Sequence, residues 1–351
     1  MAAEHEQHAP GISLVTSSGG PDELAEAARL AETAGFESVW ATEFVDRSAT
    51  VALAAMAQAT STIELGSAIA YAFGRTPLVT AAEGRDLDEL SGGRLTLGLG
   101  TGTRRMQQDW HGLDGEHPAS RMEELVPLLR RLWRLHEGPV EHEGRFYRCR
   151  VTPTAETSAP VRDDIPVYTA GVNARMVQVA GRVADGLLGH PLFSAAYVDE
   201  VVRPAIAEGK RRAGRDDAHV ELVGIVICSV ADDADQARRE AAAQLAFYAA
   251  PKTYGKLLEA SGFGAAGETI RAAFAERDFA AMAAAVPDEM VDAMAAAGTV
   301  AEVRDRLERA AEVFDHVVVY PPSFGLTEER CEELAAALVE HLAPAGVRAR
   351  D

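Results

Sequence analysis

Short apolar runs alternate with longer amphipathic segments along almost the whole chain, and this alternation limits the possible folds more than any other feature. It predicts eight strands, and a helical pattern follows each of them. That is the strand count of a (β/α)8 barrel. An open doubly wound sheet has the same periodicity, so the pattern alone leaves both α/β architectures open. The predicted strands lie at 12–15, 37–42, 63–69, 95–99, 165–171, 185–190, 220–231 and 316–322.

Two segments interrupt the repeat without ending it. Residues 138–164 contain two short alternating runs around Gly144 and then a Pro/Thr/Ser-rich stretch, which predicts an inserted hairpin and loop. Residues 251–298 are rich in alanine and show no strand pattern, which predicts a helical insertion. We therefore expect one barrel domain over 11–343, with disordered tails at 1–10 and 344–351.

The charge balance narrows the range of partners. The chain has 34 basic and 54 acidic residues and a net charge of −20, which disfavours binding to nucleic acid. The first residues lack the features of a signal peptide, and the longest apolar stretch falls short of the roughly 18 residues of a membrane span. Cys149, Cys228 and Cys331 form no C-x-x-C pattern, so neither a disulfide framework nor a metal site is expected. We predict a cytoplasmic protein without membrane association.

Three alternating glycines follow the fourth predicted strand: Gly98, Gly100 and Gly102 in "GLGTG". Ligands of α/β folds sit at the carboxyl ends of parallel strands, where glycine lets them approach the backbone. A tight turn with close helix packing would need the same residues. The spacing matches neither the Rossmann G-x-G-x-x-G pattern nor a Walker motif.

A second candidate site is "YTAGVNARM". Gly171 ends a predicted strand, and Asn173 can cap the helix that follows. The amide groups at that helix start could hold a phosphate, although an ordinary helix cap has the same sequence.

Several longer motifs together resemble the luciferase-like flavin and deazaflavin oxidoreductases, and most closely the branch that uses the deazaflavin coenzyme F420. The resemblance covers about residues 11–343. It implies a (β/α)8 barrel with both insertions, and a homodimer. The motifs are "GFESVWATEF" at 35–44, "IELGSAI" at 63–69, "RTPLVTAAEGRDLDELSGGRLTLGLGTG" at 75–102, "GPVEHEGRFY" at 138–147 and "IPVYTAGVNARMVQVAGRVADGLL" at 165–188.

The resemblance also implies where the coenzyme lies. Backbone at Thr101 and Gly102 would contact the flavin-like ring, and the neighbouring glycines would make room for it. A non-prolyl cis peptide is expected between Ala68 and Ile69, with Ile69 against the central ring. Tyr71 would add a polar contact. The phosphate contacts would come from Gly171, Val172 and Asn173.

The catalytic groups implied by the resemblance are only partly present. Glu43 occupies the position of an acidic residue that binds the coenzyme, but Phe44 stands where many relatives have a proton-donating histidine. A second acidic position of some members is Thr103. Phenylalanine cannot transfer a proton, so His190, after the sixth predicted strand, is the first replacement candidate.

Other residues near the same strand ends are weaker candidates. Tyr71, His111 and His117 could also donate a proton. Arg104 and Arg105 follow the glycine loop and could attract an anionic substrate or coenzyme tail, although a solvated helix start has the same appearance.

The resulting hypothesis is an F420-dependent oxidoreductase that transfers hydride between the deazaflavin and a small organic substrate. An FMN-dependent monooxygenase is the alternative enzyme. Because Phe44 replaces the histidine, a deazaflavin-binding protein with little turnover is the alternative from another class.

Overall fold

The structure, a computed structural model, describes residues 10–14 and 19–344. Apart from Pro10 and Pro344, the predicted tails lie outside the described residues, as does Val15 of the first predicted strand. The chain divides into two compact units. Unit 1 comprises Met1–Trp40, Gly189–Val201 and Leu222–Asp351, and unit 2 comprises Ala41–Leu188 and Val202–Glu221.

The strands are numbered in chain order. They are β1 Gly11–Leu14, β2 Ser38–Ala41, β3 Glu64–Ser67, β4 Ala70–Tyr71, β5 Leu95–Gly100, β6 Val140–Glu143, β7 Arg148–Val151, β8 Val167–Ala170, β9 Gly186–Leu188, β10 Glu221–Val230, β11 Ala295–Gly298 and β12 His316–Tyr320.

The helices follow the same convention. They are α1 Pro21–Ala34, α2 Ala49–Ala59, α3 Pro77–Ser91, α4 Arg104–His111, α5 Pro118–Trp133, α6 Ala174–Val183, α7 Ala195–Tyr197, α8 Arg203–Ala213, α9 Ala234–Ala249, α10 Gly255–Ala260, α11 Gly264–Ala275, α12 Phe279–Ala284, α13 Asp288–Met294, α14 Val300–Ala311 and α15 Glu328–Leu342. None of these helices is both long enough and apolar enough to cross a membrane, within the described part of the chain.

Unit 1 contains strands in the order β11-β10-β12-β1-β2. The pairings of β12 with β1 and with β10, and of β10 with β11, are all parallel. Every residue of β12 is buried, as expected for an apolar strand covered on both faces. The strands and helices predicted for this part of the chain are present with small shifts at their ends.

Strand β11 corrects the expectation that residues 251–298 contain no strand. Ala295 to Gly298 pair in register with Ile227 to Val230 of β10, and all four residues of β11 are buried. Alanine favours helices, so the alanine-rich composition of this segment carries no strand preference. The helix preference of alanine is overridden because the neighbouring buried strand β10 pairs with the backbone of these residues. The rest of the insertion is largely helical, with α10 to α13.

Unit 2 contains parallel strands in the order β3-β5-β8-β9, and β4 also pairs with β5. The predicted hairpin is confirmed: β6 and β7 are antiparallel, with Val140 opposite Val151 and Glu143 opposite Arg148. Helix α3 begins at Pro77 after the Thr76 cap and ends before Gly92, whose φ is +69°. These are the start and stop signals that its sequence carries.

The third predicted strand is interrupted in its middle. Strand β3 ends at Ser67, strand β4 begins at Ala70, and the predicted cis peptide Ala68–Ile69 lies between them. The Ser67 hydroxyl donates to the Gly98 carbonyl at 2.8 Å and accepts from the Gly98 N–H at 2.9 Å. One side chain thereby satisfies both main-chain groups of Gly98 on β5.

Replacing Ser67 with alanine tests this bridge. Because Ser67 is fully buried, Ser67→Ala leaves two buried main-chain groups without this partner. We expect a loss of about 1–3 kcal/mol in the free energy of unfolding. The measurement is urea denaturation followed by circular dichroism. The control is Ser158→Ala, since Ser158 is exposed and its hydroxyl bonds only Arg85 among the described residues. Equal small losses in both variants would contradict the role of Ser67.

Candidate functional site

Within unit 2, the predicted coenzyme-binding residues lie at the ends of neighbouring strands. Tyr71 of β4 pairs with Gly100 of β5, and Leu99 of β5 pairs with Thr169 of β8. The segments that follow these strands therefore lie along one edge. We call this set the strand-end surface: Ala68, Ile69, Tyr71, Thr101, Gly102, Gly171, Val172 and Asn173.

Part of the strand-end surface is open to a ligand. Ile69, Thr101, Gly102 and Val172 are half-buried, and Asn173 is exposed. Carboxyl ends of parallel strands are the usual ligand-binding edge of an α/β fold. The structure thus brings these predicted residues together, while their contacts with a coenzyme stay a prediction.

The three alternating glycines have different roles. A Cβ atom at Gly98 would overlap the Ser67 carbonyl oxygen, and one at Gly100 would overlap the Ile69 side chain. The expectation that all the glycines make room for a ring is wrong for these two, because protein atoms already fill the space. Gly102 differs: its φ is +63°, and a Cβ there would lie 3.1 Å from Cε1 of Tyr71.

The segment after β8 is shaped by its own helix. A Cβ at Gly171 would lie 2.8 Å from Cβ of Met176, so the turn into α6 requires glycine. Oδ1 of Asn173 accepts from the Met176 N–H at 3.1 Å, which is an ordinary helix cap. The first-turn amide groups of α6 still point out of the helix start, where a phosphate can bind.

Glu43 is held in an ion pair that the sequence did not reveal. Its Oε1 accepts from Nη2 of Arg75 at 2.6 Å, and its Oε2 accepts from Nη1 of Arg75 at 3.0 Å. Oε2 also accepts from the Tyr71 N–H at 2.7 Å. Arg75 in turn contacts Glu83 at 2.9 Å, and its hydrogen bonds with Glu43 raise its pKa.

This arrangement gives Glu43 a structural task. The side chain is 10% exposed, and its carboxylate anchors β4 directly through the Tyr71 main chain. These contacts show what holds Glu43 in place, and its predicted catalytic role stays a prediction.

Aromatic rings stand beside the strand-end surface. The Phe44 ring lies edge-on to Trp110 at 5.4 Å, and the Tyr71 ring lies 6.3 Å from Trp110 and 4.9 Å from His111. Phe44 and Trp110 are 47% and 43% exposed. Nε2 of His111 is buried and has no hydrogen-bond partner among residues 10–14 and 19–344. His111 is thus a polar group whose hydrogen bonding is incomplete.

The remaining candidates of this unit have other surroundings. Arg104 pairs with Glu116, and Arg105 pairs with Asp109 at 2.9 Å. Both pairs are exposed, so they contribute little to stability. His117 is exposed, and its ring lies 6.0 Å from that of Phe146.

His190 belongs to unit 1 and packs among tyrosines of that unit. Its ring centroid lies 4.3 Å from that of Tyr254 and 5.2 Å from that of Tyr248. Nδ1 accepts from the Leu192 N–H at 3.2 Å, which places the ring proton on Nε2. Desolvation lowers the pKa of His190 to about 3. At neutral pH the neutral ring can donate a hydrogen bond, but it cannot act as an imidazolium acid.

Sequence reasoning missed the partners of the predicted residues. Arg75, Trp110 and Tyr254 each complete a contact with a residue distant in sequence. Arg75 lay within a quoted motif, but nothing in its local pattern distinguished it from a surface arginine.

Comparison with known proteins gives the family and the fold. The family model described as luciferase-like monooxygenase matches residues 6–316. An uncharacterized protein of Mycobacterium tuberculosis is 35% identical over 321 residues, which cover 89% of this chain and 93% of that protein. The 5,10-methylenetetrahydromethanopterin reductase of Methanolobus tindarius is 29% identical, with 89% of this chain and 93% of that protein covered.

A solved structure agrees with these matches. The coenzyme F420-dependent tetrahydromethanopterin reductase from Methanopyrus kandleri is 28% identical, with a TM-score of 0.76 over 96% of this chain and 99% of that chain. The fold class is therefore α/β, with the (β/α)8 barrel of the luciferase-like type, and the open doubly wound sheet is excluded.

The low pKa of His190 predicts an acid-sensitive contribution to stability. The folded pKa, about 3, lies below the ordinary value of 6.5. Between these pH values the unfolded chain binds a proton that the folded chain does not, so stability falls as pH drops through this range. Between pH 7 and pH 5, the free energy of unfolding of His190→Gln should therefore fall by up to about 1–2 kcal/mol less than that of the parent protein. The measurement is urea denaturation at pH 7 and pH 5.

The control for this experiment is His219→Gln, because His219 is exposed. It should keep the pH dependence of the parent protein. An identical pH dependence in His190→Gln and the parent would contradict the desolvated, neutral state of His190.

Proposed function

Because the chain belongs to the luciferase-like monooxygenase family, we propose that it is an oxidoreductase that uses coenzyme F420 to transfer hydride to or from a small unsaturated organic substrate. Two relatives whose names state F420 support this coenzyme: a putative coenzyme F420-dependent oxidoreductase of Mycobacterium tuberculosis at 27% identity and the F420-dependent reductase structure at 28%. The matches cover 82% and 96% of this chain, which favours a shared coenzyme over a shared fold alone.

The observation that carries the proposal is the strand-end surface. Thr101, Gly102 and Ile69 are half-buried and lie at the ends of the paired strands β4 and β5, and the α6 helix start lies at the end of the adjacent strand β8. A flat ring fits against bare backbone, and a phosphate fits a helix start. The buried, unpartnered Nε2 of His111 adds a polar group beside the same surface. These residues fit a deazaflavin with a phosphate-bearing tail.

When bound, the deazaflavin supplies two-electron hydride chemistry. The chain's residues prepare the site for it. Glu43 and Arg75 hold the main chain of Tyr71, so we assign Glu43 as a positioning residue. Phe44 and Trp110 contact each other and place exposed apolar rings next to Tyr71. The histidine acid implied by the resemblance is absent, because position 44 holds phenylalanine.

The proton accompanying the hydride needs another origin. His190, the predicted catalytic residue, carries its proton on Nε2 and can polarise an oxygen acceptor through a hydrogen bond. This is electrophilic assistance by a neutral imidazole. Protonation by solvent can then complete the reduction without a strong protein acid.

The FMN-dependent monooxygenase remains the second candidate, since the matching family is described by that activity. Both coenzymes carry a flat ring and a phosphate, so the strand-end surface accommodates either. The two are separated by titrating the purified protein with each one, following deazaflavin or flavin fluorescence. We expect saturable binding of F420 and much weaker binding of FMN. Tighter binding of FMN would overturn the proposed coenzyme.

A turnover assay separates the enzyme from the binding protein with little turnover. Reduced F420 is mixed with a panel of enones, imines and quinones, and its oxidation is followed at the deazaflavin absorbance. Oxidation that depends on both protein and substrate supports the enzyme. Tight coenzyme binding without oxidation by any panel member would favour the binding protein.

Gly102→Ala tests the position of the coenzyme. The added methyl group crowds Tyr71 and covers accessible main chain, so we expect the Kd for F420 to rise by at least about tenfold. The matched control is Gly112→Ala, whose φ is +65° and where a Cβ would meet nothing within 4 Å. It carries the same conformational cost but should bind F420 normally. Equal losses in both variants would contradict a ring at Gly102.

A further inference from the structure

Two aromatic side chains of unit 2 are exposed beside each other. Phe44 and Trp110 are 47% and 43% exposed, and their rings meet edge to face, with centroids 5.4 Å apart and planes at 89°. Val45, the next residue along the chain, is 66% exposed. We call Phe44, Val45 and Trp110 the aromatic patch. Single exposed apolar residues are common, whereas adjoining ones indicate a binding surface.

Trp110 has different surroundings from the other two tryptophans of the chain. Trp40 and Trp133 are 3% and 1% exposed. Their indole N–H groups donate to the Ser38 hydroxyl at 2.7 Å and to the Ala81 carbonyl at 3.0 Å. These two residues belong to the core, whereas Trp110 presents ring surface that the fold leaves uncovered. Tryptophan combines a large apolar ring with one hydrogen-bond donor, and it is therefore enriched in binding sites.

Helix α4 does not depend on Trp110 for its own packing. Gln107 is the one buried residue among the eight residues of α4. The Thr103 hydroxyl caps the helix by accepting from the Met106 N–H at 3.2 Å, and Gly112, whose φ is +65°, ends it. These features fix both ends of α4 without burial of the indole ring. Ligand binding explains the exposed ring better than a role in the fold.

Tyr71 connects the aromatic patch to the strand-end surface. Its ring lies edge-on to Trp110, with centroids 6.3 Å apart and planes at 83°. A Cβ atom at Gly102 would lie 3.1 Å from Cε1 of Tyr71. One ring, itself 6% exposed, thus adjoins both the aromatic patch and the position proposed for the coenzyme, and all these residues belong to unit 2. A molecule on the patch therefore lies next to a coenzyme on the strand-end surface.

We propose that the aromatic patch binds the substrate and selects a compound that carries a flat aromatic ring. The proposal rests on the proposed function, since it names the substrate class of that oxidoreductase. The continuity with the strand-end surface favours a substrate as the occupant, because a substrate has to meet the coenzyme at this edge. Phe44 and Trp110 become specificity-determining residues. Phe44 stands where the resemblance implies a proton-donating histidine, so this position supplies apolar area in place of an acid.

The test compares two ketones that differ in one ring. 4-Phenylbutan-2-one carries a flat aromatic ring, and 4-cyclohexylbutan-2-one carries a saturated ring with the same number of carbons. The saturated ring has more apolar surface, so burial alone favours it. Contacts between aromatic rings favour the phenyl compound. We expect its Kd to be about two- to tenfold lower, measured by isothermal titration calorimetry with the full-length protein.

Tryptophan fluorescence locates the bound ketone. Because Trp40 and Trp133 are buried, acrylamide quenches mainly the emission of Trp110 in the folded protein. Saturating 4-phenylbutan-2-one should cover Trp110 and lower the Stern–Volmer constant for acrylamide. Trp110→Phe should lose the quenchable emission, which confirms the source of the signal.

Two variants and a matched control assign the ring preference to the patch. Phe44→Leu and Trp110→Leu each keep an apolar side chain and remove one ring, so the ratio of the two Kd values should shrink toward one. The control is Phe274→Leu, since Phe274 is 50% exposed and belongs to unit 1. It should keep the ratio of the parent protein. Circular dichroism checks that all three variants are folded.

The same quenching experiment detects a second copy of the chain on the patch. It is repeated without ketone over a range of protein concentrations that includes the association of the predicted homodimer. Quenching of Trp110 that does not change with concentration supports a surface open to a small molecule. Protection of Trp110 that increases with protein concentration would overturn the proposal, because the patch would then be a subunit interface.

The titrations are carried out with and without bound F420, and the affinity for F420 is measured separately by fluorescence. Tighter binding of the phenyl compound, with protection of Trp110 and a smaller ratio in both patch variants but not in the control, supports the proposal. Equal or tighter binding of the cyclohexyl compound, an unprotected Trp110, or an unchanged ratio in Phe44→Leu and Trp110→Leu would overturn it.

The coenzyme titration separates this proposal from the proposed function. Competition between the phenyl compound and F420 would overturn the proposal, since the patch would then belong to the coenzyme site. If F420 does not bind the protein while the phenyl compound still protects Trp110, the proposed function fails and the ring preference of the patch stands.

Discussion

The close approach of β3 and β4 to β5 is the contact on which the rest of unit 2 depends. The main chain of Ser67 fills the space beside Gly98, and the side chain of Ile69 fills the space beside Gly100. Any residue larger than glycine at either position would collide with these atoms. Because interiors are packed to high density, such contacts have little room to adjust. The approach sets where β4 ends, and with it the placement of Tyr71 and the segment after β5.

The polar groups of the two units are suited to different tasks. In unit 2, the Glu43–Arg75–Glu83 chain holds the main chain beside Tyr71, and the α6 helix start favours negative charge. In unit 1, desolvation lowers the pKa of His190 and raises that of Tyr254. A coenzyme with an anionic tail suits the first environment.

Much of the fold was predictable because it depends on local patterns. Strand and helix periodicity gave the eight strands of the repeat, and the helix signals around α3 lie at its observed ends. Strand β11 was not predictable, because four small residues carry no strand preference and pair only through their burial against β10. The resemblance placed the cis peptide at Ala68–Ile69, a position that no periodicity indicates.

The candidate site was predictable in position but not in chemistry. The strand ends and the turn at Gly171–Asn173 follow from sequence alone. The ion pair of Glu43 with Arg75, the low pKa of His190 and the stacking of Tyr254 depend on contacts between residues far apart in the chain. The same holds for Gly98 and Gly100, whose role is decided by Ser67 and Ile69 and not by their spacing.

The central claim is that a deazaflavin lies against exposed main chain at the strand ends of unit 2. A crystal structure of the protein with coenzyme F420 tests it most directly. We expect electron density for the fused rings in contact with Ile69 and with the main chain of Thr101 and Gly102, and density for the phosphate at the start of α6. Coenzyme density elsewhere on the protein, with these residues contacting only solvent, would contradict it.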